Sequence, residues 1–200
     1  MIKPAADLFG PTLSTEDQAV TRLRTDLARR AQLAGLLDVA YRTLDSPVGL
    51  LLLAATPAGL VRVAYARENH DRVLGVIAER ISPRVLLAPA RLDRTSRQLD
   101  EYFAGERRHF ELPVDLRLAS GFRRAVLGRL LELDYGSTAS YASVAASTGS
   151  PRAVRAVGTA CANNPVPIVV PCHRVVRSDG TIGQYVGGPE AKRVLLDLEA

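Results

Sequence analysis

Between Tyr141 and Pro165 the sequence leaves the backbone little choice. A short helix is predicted near Tyr141–Thr148, Gly149-Ser150-Pro151 makes a turn, and a further helix runs near Arg152–Asn163. The latter must stop at Asn164-Pro165, because proline has no N–H to donate and disfavours helix in the residue before it. Two helices joined by a tight glycine-containing turn form the helix-turn-helix pattern. A longer helix near Ser120–Leu133, ended by Asp134-Tyr135-Gly136, precedes them.

Upstream of Leu112-Pro113 the periodicity differs. Val39–Leu44, Val48–Ala55 and Leu60–Ala66 read as three strands, separated by Ser46-Pro47 and by Thr56-Pro57-Ala58-Gly59, both good turn sequences. Helices around Asp71–Arg80 and Leu92–Phe103 follow. The fold class is therefore α+β, with an N-terminal α+β domain at 37–113 and a helical C-terminal domain at 114–200. Residues 1–36 form an extension with one amphipathic helix. Ser14 is its expected cap, Glu16 and Asp17 fall in the first turn, and Val20, Leu23, Leu27, Ala31 and Ala34 form an apolar stripe. The opposite face, with Arg22, Arg24, Arg29 and Arg30, reads as a solvated surface.

Composition removes several classes of function. Two cysteines, Cys161 and Cys172, are too few for a disulfide scaffold in 200 residues. Three histidines without CxxC or HxxxH spacing give no structural zinc site; His70 and His109, set among charged residues, read as surface histidines. The N-terminus lacks a secretory pattern, and the most apolar stretch, Val48–Ala64, is broken by Pro57 and Gly59 and carries Arg62, so it cannot span a bilayer. A cytoplasmic protein is expected.

The formal charge of +5 is modest. Its distribution is more informative. From Tyr135 to Ser178 there is no aspartate or glutamate, while Arg152, Arg155, Arg174 and Arg177 lie in the same stretch. A positive surface there would attract phosphates, although a buried segment would also lack acids.

The chemistry is concentrated in Asn163-Asn164-Pro165-Val166-Pro167-Ile168-Val169-Val170-Pro171-Cys172-His173-Arg174-Val175. An apolar run delivers a Cys-His pair. A thiolate is a strong nucleophile and a thiol is not, so the cysteine needs a base. On an extended strand the two side chains would point to opposite sides, which leaves room for a bridging water. A Cys-His dipeptide alone is usually structural.

The longer string, Pro-Cys-His-Arg-Val, resembles the active-site signature of the O6-alkylguanine-DNA alkyltransferases, also called methylated-DNA–protein-cysteine methyltransferases. The resemblance runs from Ser140 to Glu199 through Ser140-Tyr141, Arg155-Ala156-Val157-Gly158, Asn164-Pro165-Val166-Pro167-Ile168, Tyr185-Val186-Gly187-Gly188, Lys192 and Leu195-Leu196. It continues more weakly in Glu101-Tyr102-Phe103-Ala104-Gly105 and Phe110-Glu111-Leu112-Pro113. It implies a ribonuclease-H-like N-terminal lobe and a winged-helix-like C-terminal domain. It also implies stoichiometric transfer of an alkyl group from O6-alkylguanine in DNA, and from O4-alkylthymine, to Cys172. The partner would be double-stranded DNA, met through the minor groove by a monomer, with no cofactor and no metal.

The same resemblance assigns roles. Cys172 is the alkyl acceptor, His173 its base through a water, and Glu199 the holder of the imidazole. Tyr141 gives a proton to guanine O6 and displaces the target phosphate, and Asn164 stitches the turn before an active-site strand. Arg155 is the finger that fills the stack when the base flips out, with Arg152 and Ala156 beside it on the DNA. Pro167, Val175, Tyr185 and Val186 line the base pocket. Read singly, Tyr141 is a helix-start aromatic, Arg155 a solvated arginine, Asn164 a helix cap, Tyr185 a core or turn residue, and Glu199 a terminal charge. Cys161 has no family role and reads as a small buried apolar residue.

Several positions depart from the family pattern. Val186 replaces a small or hydroxyl residue, so the backbone N–H would have to meet O6. Gln184 stands where glycine or asparagine is common, and Leu127 where tryptophan is frequent. The 15–35 helix has no counterpart, and the zinc ligands of some members are missing. Other classes on the same fold are a non-catalytic lesion-binding protein, which would lack the acceptor cysteine, and an alkylation-responsive helix-turn-helix regulator, which would carry a cysteine-rich domain. A thiol hydrolase would need an oxyanion site near Cys172, and none is suggested.

Overall fold

The computed structural model describes residues 15–200, so Ser14 lies outside the described residues. Strands β1 (Val39–Leu44), β2 (Leu51–Thr56) and β3 (Gly59–Tyr65) form an antiparallel meander. Helix α2 (His70–Arg80) then carries the chain across the sheet to β4 (Val85–Leu87), which pairs parallel to β1 and gives the order β3-β2-β1-β4. The three-residue β4, set between Pro83 and Pro89, is too short to show a strand period, and the sequence reading missed it.

The sheet is covered on both faces, as the alternation of β2 requires. Leu52 and Ala54 join Val39, Val61, Val73 and Ile77 under α2. Leu51 and Leu53 point the other way, into a larger core that includes Leu92, Leu99 and Tyr102 around α3 (Asp93–Phe103). That larger core does not stop at Leu112-Pro113. It continues through Val126, Leu127 and Leu130 of α4 (Gly121–Leu130), Val144 and Ala145 of α5 (Tyr141–Ser147), and Val157, Ala160 and Cys161 of α6 (Val154–Ala162). Leu127 is fully buried in it. The chain ends in α7 (Pro189–Leu198), and Ala139–Ser140 (β5) pairs in parallel with Val175–Val176 (β6).

Two readings from the sequence need correction. Helix α1 (Thr15–Leu33) forms, but of its apolar stripe only Ala31 packs against the core: Val20, Leu23 and Leu27 are 44%, 70% and 55% exposed. The contact is made by Ala28 with Ala31, whose short side chains let the helix approach β4. The four arginines of the other face are exposed. His70 is half-buried rather than a surface histidine, because it opens α2 and turns its Nε2 inward; His109 is exposed. No helix among the described residues is long and apolar enough to cross a membrane.

The link between the halves is itself hydrogen-bonded to the sheet. Leu60 N–H donates to Pro113 O at 2.8 Å, and Asp115 N–H to Leu60 O at 2.8 Å. The Thr56 hydroxyl donates to the buried Asp115 carboxylate at 2.6 Å. Gly59 sits where these strands meet, at φ +140°, and a Cβ there would collide with the Pro113 carbonyl. Gly59→Ala should therefore destabilise the protein by about 2 kcal/mol or more. Gly75→Ala, in the exposed middle of α2 with free space around it, should stabilise it by about 0.5–1 kcal/mol. Urea unfolding of the two variants checks both signs.

Candidate active site

The site begins where α6 ends. Asn164 is fully buried and spans the loop that follows. Its Oδ1 accepts from Val166 N–H at 3.0 Å, and its Nδ2 donates to Val170 O at 2.9 Å and to Cys172 Sγ at 3.1 Å. A side chain that makes these three bonds fixes the loop and the sulfur together. Within the loop Ile168 adopts φ +75°, a left-handed conformation costly for a β-branched residue. The loop around it is closed by Val170 N–H donating to Val166 O at 2.9 Å, and Val166, Val169 and Val170 are buried.

Cys172 does not lie on an extended strand, as the sequence suggested. Cys172–Arg174 form one 3₁₀ turn, closed by Arg174 N–H donating to Pro171 O at 3.0 Å. The turn separates three adjacent side chains into three roles. The Cys172 thiol is 2% exposed, and burial pushes its pKa up to about 11, against the opposing pull of the Asn164 amide and the Lys192 ammonium. Lys192 is itself fully buried and donates to Val175 O at 2.5 Å. Such a thiol stays protonated at neutral pH unless a base takes its proton.

His173 is fully buried, and its Nε2 lies 2.9 Å from Glu199 Oε1. Its Nδ1 is buried and has no partner among the described residues. Burial lowers the imidazole pKa despite the nearby carboxylate, so the ring is neutral at physiological pH. With Nε2 committed to Glu199, Nδ1 is the nitrogen open to a proton.

Glu199 is the hub. Its Oε1 also accepts from the Tyr102 hydroxyl at 2.6 Å and from Arg174 Nη2 at 2.9 Å, and its Oε2 from Arg174 Nε at 2.8 Å and Gly136 N–H at 3.4 Å. Burial alone would raise the carboxyl pKa. The bonds from His173, Arg174 and Tyr102 outweigh burial and hold it well below the usual carboxylate range. Arg174 was expected on the positive surface; it is instead buried, paired twice with Glu199, with Nη1 donating to Leu133 O at 2.5 Å. A charged group in this core needs a partner, and the carboxylate supplies one.

The remaining predicted residues fall around this centre. Tyr141 opens α5 half-buried, so near Gly183 that a Cβ there would lie 2.9 Å from its hydroxyl. Pro167, Val175 and Tyr185 are buried and Val186 is half-buried. The Tyr185 ring stands edge-on to His173, with centroids 6.3 Å apart. Arg155 and Ala156 are exposed in the first turn of α6, Arg152 is exposed in the turn before it rather than in the helix the sequence predicts from Arg152, and Arg177 is exposed beyond β6. Cys161 is buried, as expected. Sequence reasoning missed Tyr102 and the structural use of Arg174 and Lys192, although all three lay inside quoted motifs. Removing one partner of a buried ion pair leaves the other charge unpaired. Arg174→Met should cost about 3 kcal/mol of stability in urea unfolding at neutral pH, where Glu199 is left buried without its counter-charge. A loss under about 1 kcal/mol would mean that the pair is dispensable.

Comparison with known proteins gives this geometry its context. Residues 39–116 match the ribonuclease-like domain of 6-O-methylguanine DNA methyltransferase, and residues 121–200 match its DNA-binding domain. The methylated-DNA–protein-cysteine methyltransferase of Mycolicibacterium paratuberculosis is 40% identical over 161 residues, covering 80% of this chain and 92% of the relative. The constitutive enzyme of Bacillus subtilis is 36% identical over 80% of this chain and 94% of its own. A crystal structure of Mycobacterium tuberculosis OGT in complex with DNA superposes with a TM-score of 0.71 at 38% identity, covering 80% of this chain and 92% of that one. With both halves matched and relatives about 40% identical over most of their length, this chain belongs to the 6-O-methylguanine DNA methyltransferase family.

Proposed function

We propose that this protein repairs DNA by moving an alkyl group from O6 of guanine, and from O4 of thymine, to Cys172, once per molecule. The observation that carries this reading is the buried relay of thiol, neutral imidazole and ionised carboxylate on one 3₁₀ turn and the end of α7. The Cys172 proton passes through a water to His173, and Glu199 stabilises the imidazolium that forms. The sulfur then attacks the alkyl carbon in line. The carbon–oxygen bond breaks, its electrons go to guanine, and Tyr141 supplies a proton at O6. The thioether product has no carbonyl for water to attack, so the protein is spent. Pro167, Val175, Tyr185 and Val186 form the base pocket, with the Val186 backbone N–H toward O6 in place of a hydroxyl side chain.

The exposed Arg152, Arg155 and Ala156 support DNA contact by the start of α6 through the minor groove, with Arg155 filling the stack behind the flipped base. In this reading 1–36 is an extension, 37–113 an α+β domain, and 114–200 the DNA-binding and catalytic domain. The working unit is a monomer, because one chain carries every group the reaction uses. Two free cysteines fit a reducing compartment, the cytoplasm.

Incubation with excess duplex containing O6-methylguanine, followed by mass spectrometry, should show a gain of one methyl per chain, on Cys172. Cys172→Ala should abolish transfer and Cys161→Ala should not. Continued turnover, or a methyl on Cys161, would refute the mechanism.

Arg155 can help only where there is a stack to fill. Arg155→Ala should slow single-turnover repair of duplex by roughly a hundredfold, yet change reaction with free O6-benzylguanine by less than about threefold. His173→Gln should slow both substrates. Equal losses on both for Arg155→Ala would make Arg155 a pocket support.

A further inference from the structure

The Tyr185 hydroxyl, inside the protein, meets a residue that no motif picked out. Tyr65, the last residue of β3, places its hydroxyl 2.9 Å from the Tyr185 hydroxyl, and one donates to the other. The two rings stand edge to face, with centroids 5.8 Å apart and 76° between planes. Both residues are buried, at 3% and 9% exposure, so water does not readily replace either partner. The Tyr65 ring also presses on the backbone that follows Tyr185. A Cβ at Gly187 would lie 2.6–2.9 Å from three ring atoms, and one at Gly188 would strike the Arg67 guanidinium.

Tyr65 is held firmly. Its N–H donates to Glu68 Oε1 at 3.0 Å, and Glu68 pairs with Arg62. Arg62 in turn donates to Asn164 O at 3.5 Å and Pro165 O at 3.4 Å, and Val63 N–H donates to Pro165 O at 2.9 Å. One end of β3 therefore grips both segments that flank Cys172: the Asn164-Pro165 turn and the Tyr185–Gly188 loop. Tyr185 stands between Tyr65 and His173, edge-on to each.

We propose that Tyr65 is a positioning residue for base capture: through its hydroxyl bond to Tyr185 and its ring contact with Gly187, the N-terminal half sets the orientation of the pocket wall against which the alkylated base stacks. This rests on the reading of Tyr185 as that wall. Tyr65 does not touch the reacting atoms; it acts through Tyr185. Its removal should weaken capture of the base and leave the chemical step alone, because Cys172, His173 and Glu199 keep all their own partners.

The test is single-turnover kinetics across a range of O6-benzylguanine concentrations, repeated with duplex carrying O6-methylguanine. Tyr65→Phe keeps the ring and strands the Tyr185 hydroxyl in the core. It should raise the half-saturating concentration of the free base by roughly tenfold, with the limiting rate and its pH profile unchanged. Gly187→Ala, which pushes the loop off the ring without altering either hydroxyl, should do the same. Adding Tyr185→Phe to Tyr65→Phe should recover part of the loss, since no hydroxyl is then left unpaired. If Tyr65→Phe lowers the melting temperature but leaves half-saturation unchanged, Tyr65 is only a core residue and the proposal fails. A fall in the limiting rate with an altered pH profile would overturn it too, by placing Tyr65 in the proton relay. Wild-type protein inert toward both substrates would remove the pocket reading itself, an outcome distinct from a Tyr65→Phe variant that reacts like wild type.

Discussion

The carboxylate of Glu199 is the interaction on which the rest of the site depends. It is 4% exposed and caps the end of α7. It is kept by four donors from three places: His173 and Arg174 on the 3₁₀ turn, Gly136 after α4, and Tyr102 from α3 in the other half. Each donor is also constrained by the carboxylate. The imidazole has one nitrogen fixed, the guanidinium a buried counter-charge, and α7 a reason to end where it does. Burying one acid thus orients an imidazole, neutralises an arginine and ties the end of α7 to the N-terminal half.

Much of this was legible in the sequence, for identifiable reasons. Elements with a clear period or stop signal could be read: the meander with its two turns, α2, α3, and the helix pair ended by Asn164-Pro165. β4 could not, because three residues carry no period. The Cys172–Arg174 turn could not either, because Val-Val-Pro-Cys-His reads as extended until Pro171 O captures the Arg174 N–H. Arg174 shows a general limit. An acid-free stretch makes its arginines look like surface, but the balancing charge was Glu199, twenty-five residues away and invisible to any local window. Tyr65 carried no signal at all, since its meaning lies in Tyr185, which only the fold brings near.

The electrostatics of the site follow from what is buried. Lys192 and Asn164 both favour sulfur as an anion, whereas burial favours the neutral thiol and wins, leaving the pKa near 11. A thiol held this way carries little thiolate at neutral pH. Helix α1, in contrast, contributes little to the core: Ala28 and Ala31 make its contact, and its leucines face outward.

The core that runs without a break from β2 and α3 into α4, α5 and α6 has a consequence for how the molecule comes apart. Two lobes that shared only a linker could melt one at a time, with an intermediate in which the C-terminal lobe stood alone. Here the lobes share apolar side chains, and polar bonds cross between them, among them those from Tyr102 to Glu199, between Tyr65 and Tyr185, and from Val63 N–H to Pro165 O. Either lobe released by itself would expose the same leucines and strand a buried carboxylate and a buried phenol. The cooperative unit is therefore both halves together, and a cut at Leu112-Pro113 would divide one folding unit rather than separate two.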